Sequence, residues 1–247
     1  MRISIGTTEQ GDPGFDLSWE SKLFTANVII TKQLRLTNAS FIEALLRSKD
    51  KIILHVGCTG FGGTAVEPNV PTPEEIKEAV LHLQQNGFPP HQMVLRIDPI
   101  IPTEKGLKRL KHVLETFRGC GIKRVRISVL DLYPHVRIRF ANAGLPLPFD
   151  GFNATWKQFR DTENTLREFE SVYSFEACAE PNLQFGEKIG CISQRDLEAL
   201  NIAFTENDFS GSGFQRNICL CPSGKTELLS SGRKQCPSGC LYCYWKG

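Results

Sequence analysis

Short, almost unbroken apolar runs alternate with amphipathic stretches along the first 175 residues. Ile52-Ile53-Leu54-His55-Val56, Met93-Val94-Leu95-Arg96-Ile97 and Val125-Arg126-Ile127-Ser128-Val129-Leu130 read as strands covered on both faces, as in a parallel sheet. Residues 2–5 and 27–30 are weaker strand candidates, and 174–177 make a sixth. The stretches between them carry helix start and stop signals. Thr72-Pro73-Glu74-Glu75 supplies an N-cap, a proline at the first helical position and a glutamate at the third. Ile76, Ala79, Val80 and Leu83 then recur at i, i+3, i+4 and i+7, and Gly87 is a stop. Thr103 caps the next helix, whose stripe is Leu107, Leu110, Leu114 and Phe117, ended by Gly119. Ser40 and Glu43 have capping-box spacing for a helix over 40–47. Phe159, Leu166, Phe169 and Tyr173 form the core face of another over 156–172.

This alternation predicts an α/β fold: a parallel sheet flanked by helices, which right-handed crossovers curl from about six βα units into an open or partial (β/α) barrel. Ligands of such folds sit at the carboxyl ends of the strands. The predicted layout is a barrel over 1–177 and a cysteine-rich iron–sulfur segment over 178–247 packed on it, in one domain. Ser193 caps a short helix in that segment, which is otherwise rich in Gly, Ser, Pro and Cys. Metal–thiolate bonds would supply the folding energy its sparse apolar content cannot.

With 247 residues, 40% of them hydrophobic, the chain has enough apolar material for one sizeable core. No apolar run approaches the ~20 residues of a membrane span, and the first residues read as a strand rather than an export signal. A cytoplasmic protein without a membrane partner is expected. A net charge of +2 is too near neutral to argue for nucleic acid by itself. The basic run Lys123, Arg124, Arg126, Arg137 and Arg139 reads as solvated strand and helix ends.

Cysteine placement changes the picture most. There are nine cysteines, and only Cys58 and Cys120 precede residue 178. An odd count without an export signal argues against a disulfide framework and for metal ligation at one end of the chain. Cys236, Cys240 and Cys243 are spaced C-x3-C-x2-C, with Tyr242 just before the last. That spacing resembles the ligand pattern of radical S-adenosylmethionine (SAM) enzymes, in which three thiolates leave one iron of a 4Fe–4S cluster open to SAM. It implies SAM and a one-electron donor such as flavodoxin or ferredoxin as partners. A structural zinc site is the competing interpretation. Cys178, Cys191, Cys219 and Cys221 form a second set, sufficient for an auxiliary 4Fe–4S cluster or a zinc ion; the single residue between Cys219 and Cys221 favours the cluster.

Candidate pocket residues follow the strands. Gly60, Gly62 and Gly63 lie in the loop after Val56 and let backbone approach a ligand. Arg96 and Asp98 share one face of their strand, either to hold SAM or as an internal ion pair. Ser128 and Asp131 end the next strand with Tyr133, and Tyr242 joins them from the tail. Cys58, as a hydrogen donor, and Tyr133 are the catalytic candidates; a buried structural role is the alternative for Cys58.

Several stretches together resemble the family called domain of unknown function 1848. They are Thr59-Gly60-Phe61-Gly62 with Glu67-Pro68-Asn69-Val70-Pro71, Arg96-Ile97-Asp98-Pro99-Ile100, Asp131-Leu132-Tyr133, Ala177-Cys178, Gly190-Cys191-Ile192, Cys219-Leu220-Cys221 and residues 236–244. The resemblance implies a relative of radical SAM enzymes whose cysteine motif has moved to the C-terminal end. By analogy with spore photoproduct lyase, it implies a nucleic acid or nucleobase substrate. A non-enzymatic iron–sulfur or zinc protein, serving as electron carrier or scaffold, is the alternative. Members of that family typically open with an Arg-Arg-Thr-Asp-like run, where this chain has Gly6-Thr7-Thr8-Glu9-Gln10-Gly11-Asp12-Pro13. Any contact those arginines make elsewhere is absent here.

Overall fold

Eight parallel strands form one curled sheet, a half-barrel, in the computed structural model, which describes residues 4–205, 208, 219–222, 224–229 and 236–245. In chain order they are β1 (Ile5–Thr7), β2 (Ala26–Thr31), β3 (Ile52–Gly57), β4 (Met93–Ile100), β5 (Arg124–Val129), β6 (Ser174–Cys178), β7 (Glu187–Ile189) and β8 (Lys225–Glu227). Their order across the sheet is β7-β6-β5-β4-β3-β2-β1-β8. Five of the predicted strands are present close to their expected ranges; the first, expected over 2–5, is β1 at Ile5–Thr7, and residues 2 and 3 lie outside the described residues. The two edge strands, β7 and β8, come from the cysteine-rich segment and are three residues each, too short to leave a periodic signal.

Six α-helices accompany the sheet among the described residues: α1 (Ala39–Ser48), α2 (Pro73–Gln85), α3 (Glu104–Thr116), α4 (Pro134–Asn142), α5 (Trp156–Arg167) and α6 (Gln194–Ala199). Thr72 and Glu75 close the expected capping box of α2, and Thr103 caps α3. The expected box of Ser40 with Glu43 does not form. Asn38 is the N-cap of α1, so Ser40 already lies inside the helix.

Period-two alternation explains the unbroken apolar runs. Leu54, Val56, Leu95, Ile97, Val125 and Ile127 pack outward with Ile76, Val80, Leu110, Leu114 and Leu166 of the helices. Ile53 and Val94 point the other way, joining Ile5, Val28, Ile192 and Leu197. The segment around α6 therefore plugs the concave side. Arg124 and Arg126 also lie on that side, which corrects their assignment as solvated. Arg126 is fully buried and bonds the equally buried Glu176 at 2.7 Å; Arg124 bonds Glu176 and Asp196 at 2.8 and 2.7 Å. Burial alone would raise the Glu176 carboxyl, but Arg126 and Arg124 outweigh it and hold it below the usual carboxylate range.

On the outer side the buried Tyr173 hydroxyl donates to the Leu114 carbonyl at 2.7 Å, and burial pushes its pKa up to about 12. The unfolded chain ionises this phenol near 10, so its contribution is whole below pH 10 and is lost as pH rises toward 12. Tyr173→Phe is expected to cost about 1 kcal/mol at neutral pH. It should also remove the alkaline stability loss due to this phenol, about 1 kcal/mol by pH 11. Urea unfolding of both proteins at pH 8 and 11 measures both effects.

Candidate functional site

The carboxyl ends of β1 to β5 surround a cavity of about 170 Å³, counted as space open to the centres of water molecules. Thr8 and Glu9 reach it from β1, Lys32 from β2 and Gly57 from β3. Arg96 and Asp98 reach it from β4, and Ser128, Asp131 and Tyr133 from β5 and the turn after it. The C-terminal tail forms the remaining wall with Cys236, Ser238, Cys240, Tyr242 and Cys243. All three cysteines of the terminal motif thus share one cavity with six of the residues expected to line it, Arg96, Asp98, Ser128, Asp131, Tyr133 and Tyr242.

The tail is fastened there by specific bonds. Gln33 Nε2 donates to Ser238 Oγ at 3.0 Å, Asn69 Nδ2 donates to the Pro237 carbonyl at 2.9 Å, and the Leu241 N–H donates to the Val66 carbonyl at 3.0 Å. Arg139 donates to the carbonyls of Cys240 and Cys243, which gives this member of the basic run a partly buried role. Tyr242 buries its ring at 6% exposure, and its hydroxyl bonds Glu67. Glu67 is itself fully buried and accepts from Thr59 Oγ1 at 2.6 Å and Lys32 Nζ at 3.1 Å. Lys32 also donates to the Asp98 carbonyl at 3.0 Å and lies 5.1 Å from the centre of the Tyr242 ring. Burial opposes the Lys32 charge, yet Glu67, Cys240 and Asp98 together raise its pKa. The result is a fixed cation beside Cys240.

The glycine loop has a different part from the one expected. Gly60, Gly62 and Gly63 do not line the cavity; the wall is Gly57. At Gly62 a Cβ would lie 1.9 Å from the Pro71 carbonyl oxygen, so only glycine lets the loop fold onto itself and present Glu67 and Val66 to the tail. Gly62→Ala is expected to cost at least about 1–3 kcal/mol, or several degrees in Tm by calorimetry. Cys58 also lies away from the cavity. It is 2% exposed in the main core, and burial pushes its thiol up to about 12, so the structure gives it a packing role. Cys120, 4% exposed, packs in the same core.

Arg96 and Asp98 form the ion pair that the sequence left open, at 2.5 Å, inside the cavity. Asp131 accepts from Asn153 Nδ2 at 2.9 Å. Ser128 donates to Glu180 Oε1 at 2.7 Å, as does the Val129 N–H, and burial raises the Glu180 carboxyl to about 7.

The second cysteine set also converges. Cys178 and Cys191, at the ends of β6 and β7, have their sulfurs 3.2 Å apart. The Cys191 N–H donates to Cys221 Sγ at 3.1 Å, and interaction with Cys221 lowers the Cys219 thiol to about 7. Because Cys221 shortly precedes β8, these contacts join the two opposite edges of the curled sheet. Arg96 Nη2 lies 3.5 Å from Cys191 Sγ, so one guanidinium spans from the cavity to this cluster. Burial raises the thiols of Cys236 and, to about 12, of Cys240. Cys178 lies well above the ordinary range through its bond to Cys191 and burial. Metal binding at either set must therefore displace protons.

Sequence reasoning missed Glu9, Lys32, Glu67 and Glu180 as site residues. A charged residue directly after a strand was the available signal for Lys32. Glu180 carried none, because its partners Ser128 and Val129 lie about fifty positions earlier.

No helix among the described residues is long and apolar enough to cross a membrane. No curated protein matches the chain. A family model described as "Domain of unknown function (DUF1848)" matches residues 16–245, nearly the whole length. The chain therefore belongs to the DUF1848 family.

Proposed function

We propose that this protein is a radical SAM enzyme with a 4Fe–4S cluster held by Cys236, Cys240 and Cys243 and SAM bound in the adjoining cavity. The main support is the docking of the tail. A motif more than 100 residues beyond β5 in sequence is bonded onto the loops at the carboxyl ends of β2 and β3, where α/β folds bind ligands. The donor set fits the group, since the three thiols share one cavity with the Lys32 ammonium beside Cys240 to offset thiolate charge. When bound, cluster and SAM supply a 5′-deoxyadenosyl radical by one-electron cleavage of the sulfonium.

The chain's own residues orient and enclose. Arg96, steadied by Asp98, would pair with the SAM carboxylate, and Asp98 or Asp131 would take its ribose hydroxyls or amine, with Asp131 oriented by Asn153. Tyr133 packs edge-on against Phe152 with ring centres 5.0 Å apart and lies 6.3 Å from the Tyr244 ring. This aromatic rim keeps water from the reacting centre. A nucleic acid or nucleobase is the substrate class suggested by analogy.

The second reading is a non-enzymatic iron–sulfur or zinc protein, and the convergence of Cys178, Cys191 and Cys221 favours it specifically, since that site needs no substrate. Anaerobic reconstitution with iron and sulfide, then reduction with SAM present, separates the two. The enzyme forms 5′-deoxyadenosine above the no-protein control. A reconstituted protein that forms none is a carrier or scaffold. Salt-dependent binding of an oligonucleotide tests the substrate class, and absence of binding at low salt removes it.

A further inference from the structure

The sheet seam holds a group the cysteine count alone does not identify. One carboxylate oxygen of Glu9 and the sulfurs of Cys191 and Cys221 all lie within 4.8 Å of one another. Cys178 Sγ is a further 3.2 Å from Cys191 Sγ. Four places in the fold meet here: the ends of β1, β6 and β7 and the turn before β8. We propose that Glu9, Cys178, Cys191 and Cys221 form a mononuclear site for a zinc-class divalent cation, with Glu9 rather than Cys219 as the fourth ligand.

Size decides between one ion and a cluster. Zinc bonds sulfur at about 2.3 Å and carboxylate oxygen at about 2.0–2.2 Å, so two ligands of one tetrahedral ion are about 3.5–3.8 Å apart, and never more than about 4.6 Å. The ligand atoms of Glu9, Cys191 and Cys221 lie within 4.8 Å of one another, about that reach, whereas Cys178 Sγ touches Cys191 Sγ at 3.2 Å but stands outside this group and must turn toward the ion to complete the set. A cubane sets each thiolate on a separate iron and needs them spread more widely. Cys219, like Cys178, lies outside that three-ligand group, but Cys178 has its sulfur in direct contact with Cys191.

The surroundings are built for this group. At Gly190 a Cβ would lie 2.6 Å from the Cys221 nitrogen, so the absence of a side chain there allows the two edges to meet. Arg126 holds the Cys191 carbonyl at 2.7 Å. Lys225 Nζ grips Glu9 Oε2 at 2.7 Å, both residues being almost fully buried, and Arg96 lies against Cys191. Three thiolates and a carboxylate carry four negative charges, of which a divalent ion offsets two and Lys225 a third; Arg96, already paired with Asp98, lies against Cys191. The ion would clasp the open edges of the half-barrel beside the cavity.

The test uses the full chain with Cys236, Cys240 and Cys243 replaced by alanine, so that iron at the tail does not enter the count. Zinc(II) and cobalt(II) are titrated anaerobically under reducing conditions against a chromophoric chelator. One ion per chain is expected. Cys178→Ala, Cys191→Ala or Cys221→Ala should abolish binding, and Glu9→Gln should weaken it tenfold or more. Cys219→Ala should leave both affinity and the thiolate-to-cobalt absorption unchanged. The proposal is overturned if Cys219→Ala fails like Cys221→Ala, if Glu9→Gln binds as tightly as its parent, if no ion binds, or if reconstitution loads about four irons with sulfide here. Should Glu9→Gln alter the circular dichroism, the Cys219→Ala titration and the cobalt spectrum still decide.

Discussion

Cys240→Ala is expected to form no 5′-deoxyadenosine after reconstitution and to retain about four fewer irons per chain than the unsubstituted protein. Cys240 is the middle cysteine of the terminal motif and lies beside a fixed positive charge. It is 7% exposed, packs with Tyr242 in the cluster under the tail, and feels the Lys32 ammonium. A cluster with one iron left for SAM has three protein thiolates, and losing one leaves two, too few to keep it. The fold should survive, because Gln33–Ser238, Leu241–Val66 and Tyr242–Glu67 fasten the tail without that sulfur. Cys120→Ala is the matched control. It removes a thiol from the main core, 4% exposed, and should cost stability while leaving iron content and product unchanged. Unchanged iron in Cys240→Ala would place the cluster elsewhere. Unchanged iron loss in both variants would make the effect one of folding.

What the sequence revealed, and what it did not, follows from how local each cause is. The strands β2 to β6 were legible because helices cover one side and the α6 segment much of the other, so Ile53 and Leu54, or Val94 and Leu95, are both apolar although they face opposite ways. Thr72 with Glu75 was legible because a capping box spans only three residues. The cysteine spacings pointed to two groups; the terminal three line one cavity, and Cys178, Cys191 and Cys221 lie at the meeting of the sheet edges. The burial of Arg126 was not legible, since it depends on Glu176 fifty positions later. Nor was the place of Glu9, which is set by β8 pairing with β1 across more than 200 residues. The glycine loop misled for a related reason. Glycine permits close approach, and at Gly62 the approaching atom is the Pro71 carbonyl oxygen.

Arg126→Ala is expected to destabilise the protein by about 3–5 kcal/mol at pH 7, the range found when one partner of a fully buried ion pair is removed. Neither Arg126 nor Glu176 has any solvent exposure. Without Arg126, the Glu176 carboxylate keeps Arg124 at 2.8 Å and the more distant Arg195 at 3.5 Å, and the Cys191 carbonyl loses its donor. The pH dependence distinguishes this from simple loss of packing. With both arginines present the Glu176 pKa is depressed, so its contribution is whole above the ordinary carboxylate value and fades as pH falls through the lower folded value. In the variant, burial is opposed by less positive charge and the folded pKa rises. The stability difference between the two proteins should therefore shrink from pH 7 to pH 4, as the variant takes up its proton first. Arg126→Met with Glu176→Gln should cost less than Arg126→Ala alone, because no uncompensated charge remains and the volume is kept. Chemical unfolding of the three proteins at both pH values gives the comparison. A difference that stays constant with pH would mean the guanidinium acts through its volume and not its charge.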